Sequence, residues 1–122
     1  MKIGEIARQS GVSVDAVRFY ERVGVLPKPE RTASGYRDYA DGTVDRILLT
    51  RELQAIGFTL NDAVDALAAH DAGGATCESE RWRLEAALAR VDARLAELTA
   101  TRERILEAKQ ACEAGRCRLT AP

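Results

Sequence analysis

The sequence predicts a mainly α-helical protein with three parts: a winged helix-turn-helix head, a helical connector and a long coiled-coil helix. Three observations predict it. Two short amphipathic stretches flank Ser10-Gly11-Val12-Ser13, and a basic segment bearing tyrosines follows them. Residues 79–112 contain neither Gly nor Pro and consist largely of Ala, Leu, Arg and Glu. Within that stretch apolar residues recur in steps of four and three, the spacing of a coiled-coil seam.

In the head, Ile3, Ile6 and Ala7 recur at helical spacing. Gly11 suits a left-handed helix end, and Ser13 suits the cap of a second helix, where its hydroxyl accepts from an orphan backbone N–H. Val14 and Val17, with Phe19 or Tyr20 a turn later, give that helix an apolar side. Two short helices around a tight turn describe either a DNA-reading pair, whose second helix fits the major groove, or a plain structural hairpin. The next residues favour DNA. Arg18, Arg22, Lys28, Arg31 and Arg37 outnumber Glu21 and Glu30, with Tyr20, Tyr36 and Tyr39 among or beside them. Arginine forks and tyrosine hydroxyls grip phosphate oxygens. Gly24, Pro27 and Pro29 end the helix, and Ser34-Gly35 suits a hairpin turn that projects Arg31, Tyr36 and Arg37 as a wing. The candidate DNA-facing set is therefore Ser13, Val14, Arg18, Tyr20, Arg31, Tyr36, Arg37 and Tyr39, with Tyr39 also a candidate core residue.

The expected organisation is a DNA-binding region over 1–40, connector helices over 41–70, a loop and long helix over 71–112, and a cysteine-bearing tail over 113–122. Gly73-Gly74 marks the break before the long helix. Its seam runs through Leu84, Leu88, Val91, Leu95, Leu98 and Ile105, with Arg102 and Lys109 interrupting it toward the end. A helix of this length has little to bury its apolar side against except a second copy, so a homodimer is expected. Trp82 lies off the seam and is expected to anchor the helix start against the connector.

Cys77 and Cys112 are five heptads apart, on one side of this helix and on the order of 50 Å apart along it. One ion cannot bind both in a single chain. If two such helices pair antiparallel, Cys77 of the partner subunit lies beside Cys112. Gly115 then lets the chain turn back so that Cys117 joins them, giving two three-thiolate sites per dimer. Three thiolates form a soft site, poor for Mg²⁺ or Ca²⁺. Arg116 and Arg118 flank Cys117 and favour its thiolate, as a helix N-terminus favours that of Cys77. A structural Zn(II) site usually has a fourth protein ligand. His70 is close in sequence but suits a solvent-facing position. Three buried, inert cysteines are the competing reading.

Composition bounds the rest. The chain has 122 residues, 18 Lys+Arg, 19 Asp+Glu, three Cys and one His. Its hydrophobic and charged fractions, 46% and 30%, fit a folded protein and exclude collagen-like and wholly disordered classes. No apolar run approaches the roughly 18 residues of a membrane span, and Met1-Lys2-Ile3-Gly4-Glu5 lacks a signal-peptide core, so a cytoplasmic protein without a membrane partner is expected. The net charge of −1 averages the basic head over an acidic connector. No Gly-rich phosphate loop, Ser/His/Asp set or paired carboxylates in a cleft suggest an enzyme.

Two strings of residues carry a family resemblance. Arg18-Phe19-Tyr20-Glu21-Arg22-Val23-Gly24-Val25-Leu26, with Pro27, Arg31 and Gly35-Tyr36-Arg37-Asp38-Tyr39, is similar to the signature of MerR-family transcription regulators. Leu53-Gln54-Ala55-Ile56-Gly57-Phe58-Thr59-Leu60 continues it, and Val25 stands where Leu is more usual. The resemblance implies a winged helix-turn-helix head, a two-helix connector and a long dimerisation helix. It implies that a dimer on promoter double-stranded DNA bends and untwists it when effector binds, so that RNA polymerase engages both promoter elements. Cys77, Cys112 and Cys117 match the metal-binding cysteines of the metal-sensing branch. A Cys at position 77 implies divalent ions rather than monovalent copper. Three cysteines without further Cys or His most resemble sensors of Hg(II), Pb(II) and Cd(II), with Hg(II) favoured and Zn(II) a further possibility. The four residues between Cys112 and Cys117 are fewer than usual there. The closely spaced cysteines of the iron–sulfur branch are missing. The expected function is thus a homodimeric activator of metal-resistance or efflux genes. The alternatives are a thiol-redox or electrophile sensor in which Cys112 and Cys117 form a disulfide, and a non-sensing protein whose coiled coil recruits a partner.

Overall fold

Gly11 makes the first sharp decision in the backbone. It adopts φ +71°, a left-handed conformation that ends α1 (Ile3–Ser10) and that a residue with a Cβ rarely tolerates. The Val12 N–H then bonds the Ala7 carbonyl at 3.1 Å. Ser13 starts α2 (Val14–Val23): its Oγ accepts from the Ala16 N–H at 3.0 Å, a cap of about 1 kcal/mol. The expected helix-turn-helix is formed by these two elements. The structure, a computed structural model, describes residues 1–116.

After α2 the chain forms a small antiparallel wing, β1 (Glu30–Arg31) and β2 (Arg37–Asp38), in the register Glu30 to Asp38 and Arg31 to Arg37. Its turn closes through the Gly35 N–H to the Thr32 carbonyl at 2.9 Å and the Tyr36 N–H to Thr32 Oγ1 at 3.2 Å. The connector comprises α3 (Thr43–Ala55) and α4 (Leu60–Ala72). Thr59 and Asp62 form a reciprocal capping box at the start of α4, which satisfies two N–H groups that the helix itself leaves unpaired.

The core of the head is built from Ile6 of α1, Val17 of α2, Val25 and Leu26 beyond it, Tyr39 after the wing, Ile47 of α3 and Leu67 of α4. Two arginines close its polar edges. Arg51 donates to the Ser10 carbonyl at 3.2 Å, serving the end of α1 from α3. Arg46 donates through Nε to the Val25 carbonyl and through both terminal nitrogens to Asp71, at 2.9 and 2.7 Å. The Arg46 bonds hold the Asp71 carboxyl below the usual carboxylate range.

Thr76 and Ser79 exchange hydrogen bonds at the start of α5 (Cys77–Glu113), at 2.9 and 3.0 Å. The chain divides into two units after Leu84. In the first, Arg83 reaches the Asp65 carbonyl at 3.5 Å and Glu80 at 3.3 Å. Trp82 corrects the expectation made of it: its ring is 55% exposed under the Arg83 guanidinium, so Arg83 rather than Trp82 ties the start of α5 to α4. In the second unit Leu88, Val91, Leu95, Leu98 and Ile105 are 44–62% exposed. No helix among the described residues is long and apolar enough to cross a membrane.

Ile47 is fully buried where the helices of the head meet. Ile47→Ala is expected to lower the unfolding free energy by about 2–5 kcal/mol, read from the urea midpoint at unchanged slope. A loss below about 0.5 kcal/mol would contradict this account of the core.

Candidate nucleic-acid interface and thiol site

Alternation of buried and exposed positions decides which side of α2 is free. Val17 is fully buried, whereas Asp15, Arg18, Phe19 and Arg22 are exposed. Ser13 and Val14 sit at the N-terminal end of this helix, with Ser13 exposed and Val14 packed against the core. Arg18 is held loosely, by Asp15 at 3.3 Å. The Arg22 guanidinium lies over the Phe19 ring, 5.8 Å from its centre. Tyr20 is half-buried against the core.

Beside α2, the wing and the start of α1 form a cleft of about 530 Å³, whose lining includes Lys2, Arg18, Arg31, Tyr36 and Arg37. Arg31 is oriented by a bond to the Gly35 carbonyl at 2.9 Å. Tyr36 is 66% exposed, and the Lys2 ammonium lies 5.7 Å from its ring centre. Glu5 is the acidic residue of this lining; bonds from Gln9 and then Arg8 hold its carboxyl below the usual range. A concave surface with four cations and a free phenol suits a chain of phosphates.

Tyr39 stands apart from the other DNA-facing candidates. It is 3% exposed, its N–H bonds the Met1 carbonyl at 2.8 Å, and its hydroxyl donates to Glu21 Oε2 at 2.9 Å. Burial and then the bond to Glu21 push the phenol up to about 12, against the opposing charges of Arg37 and Arg18. The same Glu21 oxygen lies 3.6 Å from Arg37 Nε. Two members of the site escaped sequence reasoning. Lys2 joins it because the chain start lies along the end of the wing, a long-range contact without local signal. Glu21 had a signal, since it follows buried Val17 by four residues and so faces inward.

Cys77 and Cys112 are exposed free thiols, the first at the start of α5 and the second next to its last residue. The helix ends at Glu113, one residue after Cys112. Gly115 takes φ +76°, its N–H bonds the Cys112 carbonyl at 3.1 Å, and the Arg116 N–H returns to Ala111 at 2.7 Å. That closure ends the helix with a left-handed glycine. Cys117 and Arg118 lie outside the described residues. Among the described residues no cluster of three His, Cys, Asp or Glu side chains could hold a metal ion. His70 is exposed.

Comparison with known proteins adds to this geometry. Residues 1–70 match the family model described as MerR HTH family regulatory protein, and residues 44–108 match one described as MerR, DNA binding. A mercuric resistance operon regulatory protein of Bacillus cereus is 45% identical over 76 residues, 62% of this chain and 58% of that protein. Its counterpart in Serratia marcescens is 30% identical over 122 residues, all of this chain and 83% of that one. Among solved structures, a transcription regulator from Ralstonia metallidurans in complex with lead(II) superposes with a TM-score of 0.82. It is 29% identical, and the match covers 91% of this chain and 87% of that one.

The Tyr39 environment has a direct check. Because its phenol is pushed from 10.0 to about 12, the stabilising contribution of the neutral hydroxyl is complete below pH 10.0 and is lost as pH rises through about 12. Phenolate absorbance should show one late-titrating tyrosine in the native protein, and Glu21→Gln should bring it to lower pH. Titration of Tyr39 in the ordinary range would contradict the bond to Glu21.

Proposed function

The chain belongs to the MerR family of helix-turn-helix regulatory proteins, in its metal-sensing branch, and from that premise we propose that it is a homodimeric, metal-responsive regulator of transcription. The observation that carries this reading is a long helix with an uncovered apolar stripe and a free cysteine near each end. Antiparallel pairing of two such helices covers Leu84, Leu88, Val91, Leu95, Leu98 and Ile105, and sets Cys77 of the partner subunit beside Cys112. Helix α5 closes at Gly115, two residues before Cys117 in the sequence, and the proposed site takes Cys117 as its third thiolate.

The donor set fits a soft ion. Thiolates favour Hg(II), Pb(II) and Cd(II), while Zn(II) commonly takes a fourth ligand. The mercuric resistance relatives and the lead(II)-bound neighbour support a metal effector. Both helix-end positions serve sensing, because an ion shared by two subunits ties the ends of both helices together and is bound only by the paired state. The heads then hold promoter DNA through the cationic cleft and the exposed face of α2. Effector binding shifts the spacing of the two heads, and the attached DNA bends and untwists so that RNA polymerase engages both promoter elements. In this reading the protein works in the cytoplasm and activates resistance or efflux genes.

Two measurements test the reading. Reduced protein titrated with Hg(II) should develop sulfur-to-metal charge-transfer absorbance that saturates at two ions per dimer, and Cys77→Ser should abolish tight binding. Full affinity in that variant would overturn the shared site. A protein that ignores metal but links Cys112 to Cys117 on mild oxidation would instead be the thiol-redox sensor. Arg18→Ala should weaken binding to promoter and mixed-sequence duplex alike and reduce the salt slope by about 0.9, the value of one phosphate contact. Unchanged binding would remove Arg18 from the interface.

A further inference from the structure

Each wing strand is two residues long, and a hairpin that small does not hold its own position in water. Its placement against α2 must therefore come from contacts beyond the ladder. Backbone pairing of Tyr39 with Met1 supplies one. The side-chain contact to α2 is made by Glu21, whose carboxylate is 16% exposed. Glu21 Oε2 accepts from the Tyr39 hydroxyl at 2.9 Å and faces Arg37 Nε at 3.6 Å. Arg37 and Tyr39 flank Asp38, so alternation along an extended chain places them on one side of it. One carboxylate oxygen thus engages that side of the returning strand twice.

We infer that Glu21 is a positioning residue for DNA binding: it fastens the wing to α2 and aims the Arg37 guanidinium into the phosphate-binding cleft. The inference rests on the DNA-binding reading above. Contact through Nε leaves the terminal nitrogens of Arg37 without a protein partner among the described residues, and Arg37 lines the cleft. Those nitrogens form the fork that takes a phosphate. Tyr39, buried, fixes Glu21 rather than reaching phosphate itself. Charge alone gives Glu21 the opposite role, because a carboxylate beside a phosphate site repels DNA. Its contacts give the geometric role instead. The bond that adds to burial in raising the Tyr39 phenol is the same bond that restrains Glu21.

The opposition between charge and geometry makes the test sharp. Binding of wild-type protein, Glu21→Gln, Tyr39→Phe and the double variant to a short mixed-sequence duplex is measured across a series of salt concentrations, with thermal unfolding alongside. If Glu21 positions Arg37, each single variant binds about fivefold more weakly near physiological salt, with a slope shallower by about 0.9. The double variant is then no weaker than the singles, because the two residues act as one unit. If Glu21 acts by charge alone, Glu21→Gln binds the duplex more tightly; that result, or unchanged binding, overturns the inference. A merely structural role lowers the unfolding temperature and leaves affinity and slope as they were, which also overturns it. Tyr39→Phe alters neither charge nor ring packing, so it decides the matter if Glu21→Gln folds poorly. Wild-type binding without salt dependence would reject the DNA reading itself, and the inference with it.

Discussion

A helix of 37 residues with apolar side chains in heptad spacing needs a neighbour along its length. In α5 Leu88, Val91, Leu95, Leu98 and Ile105 remain exposed, and Ala87 alone is buried there among the described residues. The hydrophobic effect that assembles the head is therefore unspent along this helix. Everything proposed for sensing depends on that constraint. Cys77 and Cys112 occupy nearly the first and last positions of one rigid element, too far apart to share an ion within a chain. A second helix of opposite direction both covers the stripe and brings unlike ends together. In the proposed reading, the shared site then exists only where two helices have paired.

The head solves a different problem, which is to expose cations without losing their aim. Arg46 and Arg51 are occupied with backbone carbonyls and Asp71, and they consolidate the fold. Arg18, Arg31 and Arg37 are held by one partner each and keep donors for a ligand. This division of labour is set by burial. Arg46 is 20% exposed and bidentate, whereas Arg18 is 47% exposed beside an almost fully exposed Asp15. The net charge of −1 conceals it entirely, because the sum does not record which arginines are already paired.

Local rules made much of this readable from residues alone. Ser10-Gly11-Val12-Ser13 announced a helix end and a helix start, because a left-handed glycine and a capping serine act within a few residues. Gly115 announced the end of the long helix after Cys112 for the same reason. The wing was legible from Ser34-Gly35. Trp82 was not: its size suggested an anchor, but the Arg83 side chain next to it took the contact to Asp65 and left the indole in water. Tyr39 resembled Tyr36 in sequence, yet one is buried and the other is 66% exposed. The two residues between them, Arg37 and Asp38, carry the chain from the tip of the wing into the core.

By itself, then, the sequence determined the helix-turn-helix, the heptad stripe, the positions of the three thiols and the family signature. Each of these is a matter of periodicity or of residues a few places apart, where propensity and capping operate. The tertiary structure alone decided which arginines are free, that Lys2 joins the wing, and that Glu21 binds Tyr39 across 18 residues. Those outcomes depend on the packing of Ile6, Val17, Ile47 and Leu67 into one core, which sets the distances between side chains that no local pattern relates.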